Sequence, residues 1–409
     1  MAVRVASQVF GFATAARFAP PVLLSWDESS EVSVPSAICP QLPSRLDEVM
    51  GPPRDTHPQS EQCLTLVVAA PADAAKLPVM VFFHGGGFGT GSGSMAWYSG
   101  TRLAAEGEVV VVSASYRLGP FGYLVLDGVS EGNLGLLDQI AALQWIQRHV
   151  ERLGGDPGKV TVFGQSAGGM SINHLFEIAA ARRLFRGAIV QSAPIGLSAR
   201  TRADAVVDGA VFAAHLKRDP RTAPPAAMLD AHRATARDHA AREGNRMDPP
   251  FAPVRGAGGV PQSPDSLADL TDLDVLVGWN RDDMAAFGVA LAHAPEVSAV
   301  VYADEWDPRA RQLTAAGARV TGYRLDWRPA GSGFGAVHCV ELPLLLGDER
   351  AWRGSPMLGR EPWTRVEELG RQLRSVWSRF AHTGQVTGNL APDVPVAWTH
   401  PLEPLRNLR

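Results

Sequence analysis

The chain has 409 residues, 45% hydrophobic and 20% charged, with a formal net charge of −4. These proportions suit a globular protein with a filled core, and without a basic field or runs of Lys and Arg a nucleic-acid partner is excluded. No apolar stretch reaches the ~18 residues of a membrane-spanning helix, and three cysteines, Cys39, Cys63 and Cys339, are too few for a disulfide framework and odd in number, so a reducing, cytoplasmic setting is expected.

A chain this long is still compatible with one domain over 1–409, because parallel α/β enzymes with insertions reach such sizes around a single sheet. The first sixteen residues weakly imitate a secretion signal, with Arg4, an apolar middle and an Ala-rich end, but Ser7, Gln8 and Thr14 interrupt the apolar part. Residues 1–60 are rich in Pro, Ser and Gly and read as irregular chain with short strands. Strand segments follow at 63–68, 77–83 and 108–113, and their continuous rather than alternating apolar character predicts burial on both faces, hence a mostly parallel sheet flanked by helices. A helix over 140–153 carries Ile140, Leu143, Ile146 and Val150 on one stripe and ends at Gly154-Gly155-Asp156-Pro157.

The next stretch organises the rest. Val160-Thr161-Val162-Phe163 is a strand pattern that breaks into Gly164-Gln165-Ser166-Ala167-Gly168 and then a helix over about 167–183. A strand ending in G-x-S-x-G puts the serine on a sharp turn, where glycines avoid crowding and the helix N-terminus favours negative charge beside the hydroxyl. After a further strand at 187–191, residues 199–270 change character, being rich in Ala, Arg, Asp and Pro; helices over 204–216 and 226–243 with wide polar faces predict a helical cap or side insertion. Strands return at 274–278 and 318–325, and Val366, Leu369, Leu373, Val376, Trp377 and Phe380 mark the packing stripe of a C-terminal helix.

A serine hydroxyl needs a base to take its proton and a carboxylate to orient that base. Asp282-Asp283 lies just past the 274–278 strand and His338 in the glycine-rich loop past the 318–325 strand, the order and the strand ends that a doubly wound hydrolase sheet requires. His215, His232 and His239 fall in the polar insertion, and His57 and His84 precede the serine. For the tetrahedral oxyanion, the loop His84-Gly85-Gly86-Gly87-Phe88 follows a strand directly; no Lys-Ser or Lys-Thr follows it, so it does not cradle a phosphate. The amides of Gly86, Gly87 and Ala167 are assigned to the oxyanion hole, with His84 bracing the loop.

With these residues aligned, the chain resembles the type B carboxylesterase family, which includes the cholinesterases, within the α/β-hydrolase fold. The resemblance runs from about Arg17 to Trp398 and rests on Arg17-Phe-Ala-Pro-Pro21, Glu61-Gln-Cys-Leu64, the HGGGF loop, Tyr116-Arg-Leu-Gly119, Gly132-Asn-Leu-Gly-Leu-Leu-Asp-Gln139, the elbow and Gly335-Ala-Val-His338. It implies a serine carboxylic-ester hydrolase acting on small to medium, uncharged esters through an acyl-enzyme on Ser166, with no metal or organic cofactor. The alternatives are an amide, carbamate or thioester hydrolase with the same residues, and a non-catalytic binding relative. The family's acid lies second in an Asp-Glu-Gly triplet, which carries the role to Asp283; the shorter side chain requires the His338 loop to sit closer. Gln165 stands where the family usually has Glu, so a cationic substrate loses an attraction. The family's extracellular disulfide partner for Cys63 is absent, while a Cys39–Cys63 pairing stays open. Phe88, Gln165 and Trp97 are expected to line the substrate pocket, with Tyr98 a weaker candidate; Tyr116 and Trp145 are assigned to the core.

Overall fold

The computed structural model describes residues 4–29, 32, 34–197, 200–244, 248–263, 267, 269–386, 396–398 and 408. Parts of the leader-like start (1–3) and of the 199–270 segment (199, 245–247, 264–266 and 268) lie outside them. Among the described residues nine strands form one sheet in the order β1-β2-β4-β3-β5-β6-β7-β8-β9. These are β1 Val5–Gly11, β2 Thr65–Pro71, β3 Leu77–Phe83, β4 Val110–Ala114, β5 Gly155–Gln165, β6 Gly187–Gln191, β7 Asp274–Asn280, β8 Arg319–Leu325 and β9 Val396–Trp398. From β4 through β8 every neighbouring pair is parallel. The edges are antiparallel, with β1 on β2, β2 on β4 and β9 on β8.

Both faces of the sheet are covered, which is why its strands read as unbroken apolar runs. Val79, Val81 and Phe83 of β3 point into one core with Ile140, Leu143 and Ile146 of helix α2 (Leu134–His149) and Ile172 of α3 (Ala167–Leu175). Met80 and Phe82 point the other way, to Leu103 of α1 (Thr101–Gly107) and to the α6 stripe Leu369, Leu373 and Trp377 (Trp363–Thr383).

Three expectations shift. Residues 5–11, within the stretch read as irregular chain with short strands, form a seven-residue strand of the main sheet, paired along its length with β2. Ala6, Ser7 and Gln8 interrupt the apolar run that marked the other strands, as the exposed side of an edge strand allows. Helix α3 stops at Leu175, and the chain resumes a helical turn only at Ala179–Arg182. The segment over 140–153 begins earlier, at Leu134, and finishes as a tighter 3₁₀ turn, Val150–Leu153. In the 199–270 stretch, α4 (Arg202–Leu216) packs on α5 (Pro225–Glu243), which also meets the short Gly119–Tyr123 helix.

Candidate active site

Strand β5 and helix α3 are separated by one residue, Ser166, held at φ 55° and ψ −119°. A non-glycine residue in that conformation costs on the order of 1–3 kcal/mol and persists only where the surroundings over-determine it. Here the Ser166 amide donates to the Gln191 carbonyl at 2.8 Å, and the Ser166 carbonyl accepts the Met170 amide at 2.9 Å, starting the helix. The turn is as tight as the motif demands: a Cβ on Gly168 would lie 1.9 Å from the Phe83 carbonyl oxygen. Gln165 and Ala167 are buried, while Ser166 is half-buried and reaches the cavity described below.

Strand β7 ends at Asn280 and delivers Asp282 and Asp283, both fully buried. The two carboxylates divide the work. His338 donates from Nδ1 to Asp283 Oδ1 at 2.8 Å. Asp283 Oδ2 accepts from the Asn280 amide at 2.8 Å and the Ser192 hydroxyl at 2.9 Å, so the carboxylate is held from three sides. Asp282 instead takes a bidentate pair of bonds from Arg328, at 2.7 and 2.8 Å, and accepts the Ala336 amide at 2.7 Å. It ties down the loop that carries His338, meeting the shorter reach that an aspartate imposes.

The Ser166 hydroxyl makes no hydrogen bond to His338. With Nδ1–H given to Asp283, Nε2 carries the ring's lone pair, and it accepts the Gln165 side-chain amide at 3.0 Å. Catalytic hydrogen bonds are often unmade in substrate-free enzymes and close with substrate in place. Glu341 lies behind the pair, accepting from Asn280 Nδ2 at 2.5 Å. Burial, and then the Asp283 charge, push its carboxyl up to about 7.

The glycine loop turns through three left-handed residues, Gly86 (φ 104°), Gly87 (φ 59°) and Phe88 (φ 58°). A Cβ on Gly86 would be 2.2 Å from the Thr90 carbonyl oxygen. Among the described residues the amides of Gly86, Gly87 and Ala167 donate no hydrogen bond, leaving all three available to an oxyanion. His84 sits beneath the loop, its Nδ1 2.8 Å from the Gly85 carbonyl and its ring stacked on Tyr116 at 4.3 Å. Burial lowers it to about 4, so it is neutral and braces the loop.

Ser166, Ala167, Gly86, Gly87 and Phe88 line a cavity of about 430 Å³, walled largely by apolar side chains including Met170 and Phe287. Two pocket expectations are corrected. Trp97 is not in the wall: its ring stacks on Trp352 at 5.5 Å and its Nε1 donates to the Ala351 carbonyl, both core contacts. Gln165 is not in the wall either, because its side chain turns inward to His338. Tyr98 is likewise core, stacked near Phe82 and His84. All three cysteines are free and buried, so Cys39 and Cys63 form no disulfide.

The sequence reading missed Ser192, Asn280, Asp282 and Glu341 as supporting residues. Ser192 directly follows the carboxyl end of β6 and Asn280 closes β7, so the rule that parallel sheets gather function at strand ends would have flagged both.

The sequence model of the carboxylesterase family matches residues 12–316. Over 402 residues the chain is 40% identical to a probable N-octanoylanthranilate hydrolase of Rhodococcus erythropolis, with 92% of this chain and 88% of the relative covered. It is 34% identical to the para-nitrobenzyl esterase of Bacillus subtilis (strain 168), covering 88% of this chain and 81% of that one. Among solved structures, a thermophilic PNB esterase superposes with a TM-score of 0.77 at 30% identity, covering 97% of this chain and 90% of its own. Likeness at this level runs through sequence as well as sheet order, and the chain belongs to the carboxylesterase family.

Proposed function

We propose that the ester hydrolysis of this family runs here through an acyl-enzyme on Ser166, with His338 as general base and acid and Asp283 as its orienting carboxylate. Substrate enters the cavity over Ser166, and the hydroxyl takes the His338 Nε2 lone pair in place of the Gln165 amide. As Ser166 Oγ attacks the ester carbonyl, its proton passes to Nε2, and the charge on the imidazolium is balanced by Asp283. The oxyanion is held by the amides of Gly86, Gly87 and Ala167. His338 then protonates the leaving alcohol, and water releases the acid by the same steps. No step calls for a metal or organic cofactor.

The observation that carries this reading is the buried Asp283–His338 hydrogen bond of 2.8 Å beside a strained serine that opens on an apolar cavity. Replacing Ser166 with Ala is expected to lower kcat for a p-nitrophenyl ester by about 10⁴-fold or more. Turnover by that variant at a rate near the wild type would exclude the mechanism. A second reading, amide hydrolysis at the same residues, is favoured by the relative named for an N-octanoyl substrate. Matched hexanoyl p-nitrophenyl ester and p-nitroanilide separate the two, with the ester expected to be faster.

The unit is read as one catalytic domain in which the 199–270 segment caps the cavity. The free, buried cysteines support a reducing, cytoplasmic location. Among the described residues no helix is long and apolar enough to cross a membrane.

A further inference from the structure

The cavity wall is apolar, but the charges along it are unbalanced. Four lining residues are ionised by type: Arg45, Arg233, Arg237 and Asp248. Arg233 and Arg237 lie four residues apart on α5 and so project together, beside His232, Ala236 and Ala240 of the same face. Arg45 comes from the chain before the sheet core and lies against the glycine loop, since a Cβ on Gly87 would be 3.0 Å from its guanidinium. Much of Arg45 faces the open cavity, yet enough protein crowds it that desolvation lowers its guanidinium pKa, with Asp248 acting in the other sense.

The opposing charges do not cancel this excess. Asp248 is shared with His239, whose Nε2 lies 3.5 Å from its carboxylate; the hydrogen bond to Asp208 and the nearby Asp248 raise that ring to about 9, so it is a cation at neutral pH. Arg233 pairs with Asp230 at 2.8 Å, but both side chains are more than half exposed, and such pairs neutralise little. Arg237 makes no ion pair or hydrogen bond among the described residues. His232 adds no charge, because burial, then Arg45 and Arg233, lower it to about 4. At the far end, Gln165 adds no charge beside the serine, and the nearest carboxylate, Asp283, is spent on His338 Nδ1. Three arginines against one engaged acid along a largely apolar wall favour a negative group at that end of the cavity.

We propose that the preferred substrates are esters carrying a second, anionic group, a carboxylate placed away from the scissile carbonyl, for which Arg45, Arg233 and Arg237 supply the counter-charge. This rests on the ester-hydrolase reading above and departs from the uncharged esters expected from the sequence: position 165 removes a feature that would favour cations, and the folded cavity adds one that favours anions. The apolar wall takes the hydrocarbon arm, and the rim takes the carboxylate.

The test uses the full chain and two isosteric pairs, each rate divided by that of alkaline hydrolysis of the same ester. With the charge on the acyl arm, p-nitrophenyl hydrogen adipate is compared with p-nitrophenyl 5-carbamoylpentanoate. With the charge on the alcohol arm, 4-(hexanoyloxy)benzoate is compared with 4-(hexanoyloxy)benzamide. In at least one pair the carboxylate is expected to have a kcat/KM about tenfold above the amide at low ionic strength. That ratio is expected to fall towards one in high salt and in the Arg233→Gln/Arg237→Gln variant. Ratios near or below one in both pairs, or a preference that survives the double substitution and high salt, overturn the proposal. Hydrolysis of p-nitrophenyl hexanoate, lost on Ser166→Ala, keeps the two readings apart. If that ester is turned over without charge preference, only the anionic specificity fails; if no ester is turned over, both fail.

Discussion

Position 165 joins the local geometry of the serine to the chemistry of the base. Its backbone ends β5 one residue before Ser166, and its side-chain amide holds the Nε2 lone pair of His338 at 3.0 Å. An amide there is a neutral donor that competes with the serine hydroxyl for a single acceptor. A carboxylate would instead accept a hydrogen bond from the protonated ring and favour its charged form. Gln165→Glu is therefore expected to move the acidic limb of the kcat/KM profile to higher pH, by about one unit. Because the ring must be neutral to act as base, activity below neutrality should fall more than activity at pH 8. An acidic limb that stays in place would show that residue 165 does not govern the base.

Helices α4 and α5 are joined by a polar cluster as well as by apolar packing of Phe212, Leu216, Met228 and Ala231. Asp208 of α4 accepts from His239 Nδ1 at 3.1 Å and from Arg242 at 2.6 Å, both on α5, and pairs with Arg200. Burial alone would raise the Asp208 carboxyl, but the bonds from His239, Arg200 and Arg242 outweigh it and bring it down to about 2. His239 is raised to about 9 from 6.5, chiefly by Asp208. A group whose pKa is raised on folding stabilises fully below its unfolded value and loses that contribution as pH climbs through the folded one. The His239 contribution, on the order of 3 kcal/mol, should thus be complete below about pH 6.5 and vanish through pH 9. Asp208 acts on the acid side, present above 3.8 and lost only as pH falls through about 2. The urea midpoint difference between wild type and His239→Gln is expected to shrink between pH 6.5 and pH 9.5. A difference that stays constant over that range would mean that the ring is not protonated in the folded protein.

Across the whole molecule, the sheet divides two cores, and α6 seals the one away from α2 and α3. Trp377 anchors that seal, fully buried and edge-on to Tyr323 with ring centroids 5.2 Å apart. Its indole N–H has no hydrogen-bond partner. Trp377→Ala is expected to cost about 3–5 kcal/mol. Trp377→Phe should cost distinctly less, since it keeps a ring against Tyr323 and removes an unsatisfied buried donor. Equal losses in chemical denaturation would show that the indole N–H is satisfied in solution.

The elbow, the glycine loop and the order of serine, acid and histidine were all legible in the chain, and the reason is local. A turn that admits no Cβ at Gly168 and left-handed backbone at Gly86 and Gly87 can be met only by particular residues at particular spacings. The buried strands were legible for a similar reason, because a strand covered on both faces has no solvent side on which to place polar residues. The edge strand β1, with one packed face, left no such trace. What the sequence could not decide was which distant side chains meet. Asp282 and Asp283 are neighbours of one type, and only packing sends one to Arg328 and the other to His338. Trp97 and Phe88 both follow the same strand, yet one stacks on Trp352 and the other faces the cavity. Arg45 lines the same cavity as the α5 arginines because two segments far apart in sequence converge there. Local chemistry constrains backbone conformation, but contacts between remote residues, and the electrostatic field they set up, exist only once the chain has closed on itself.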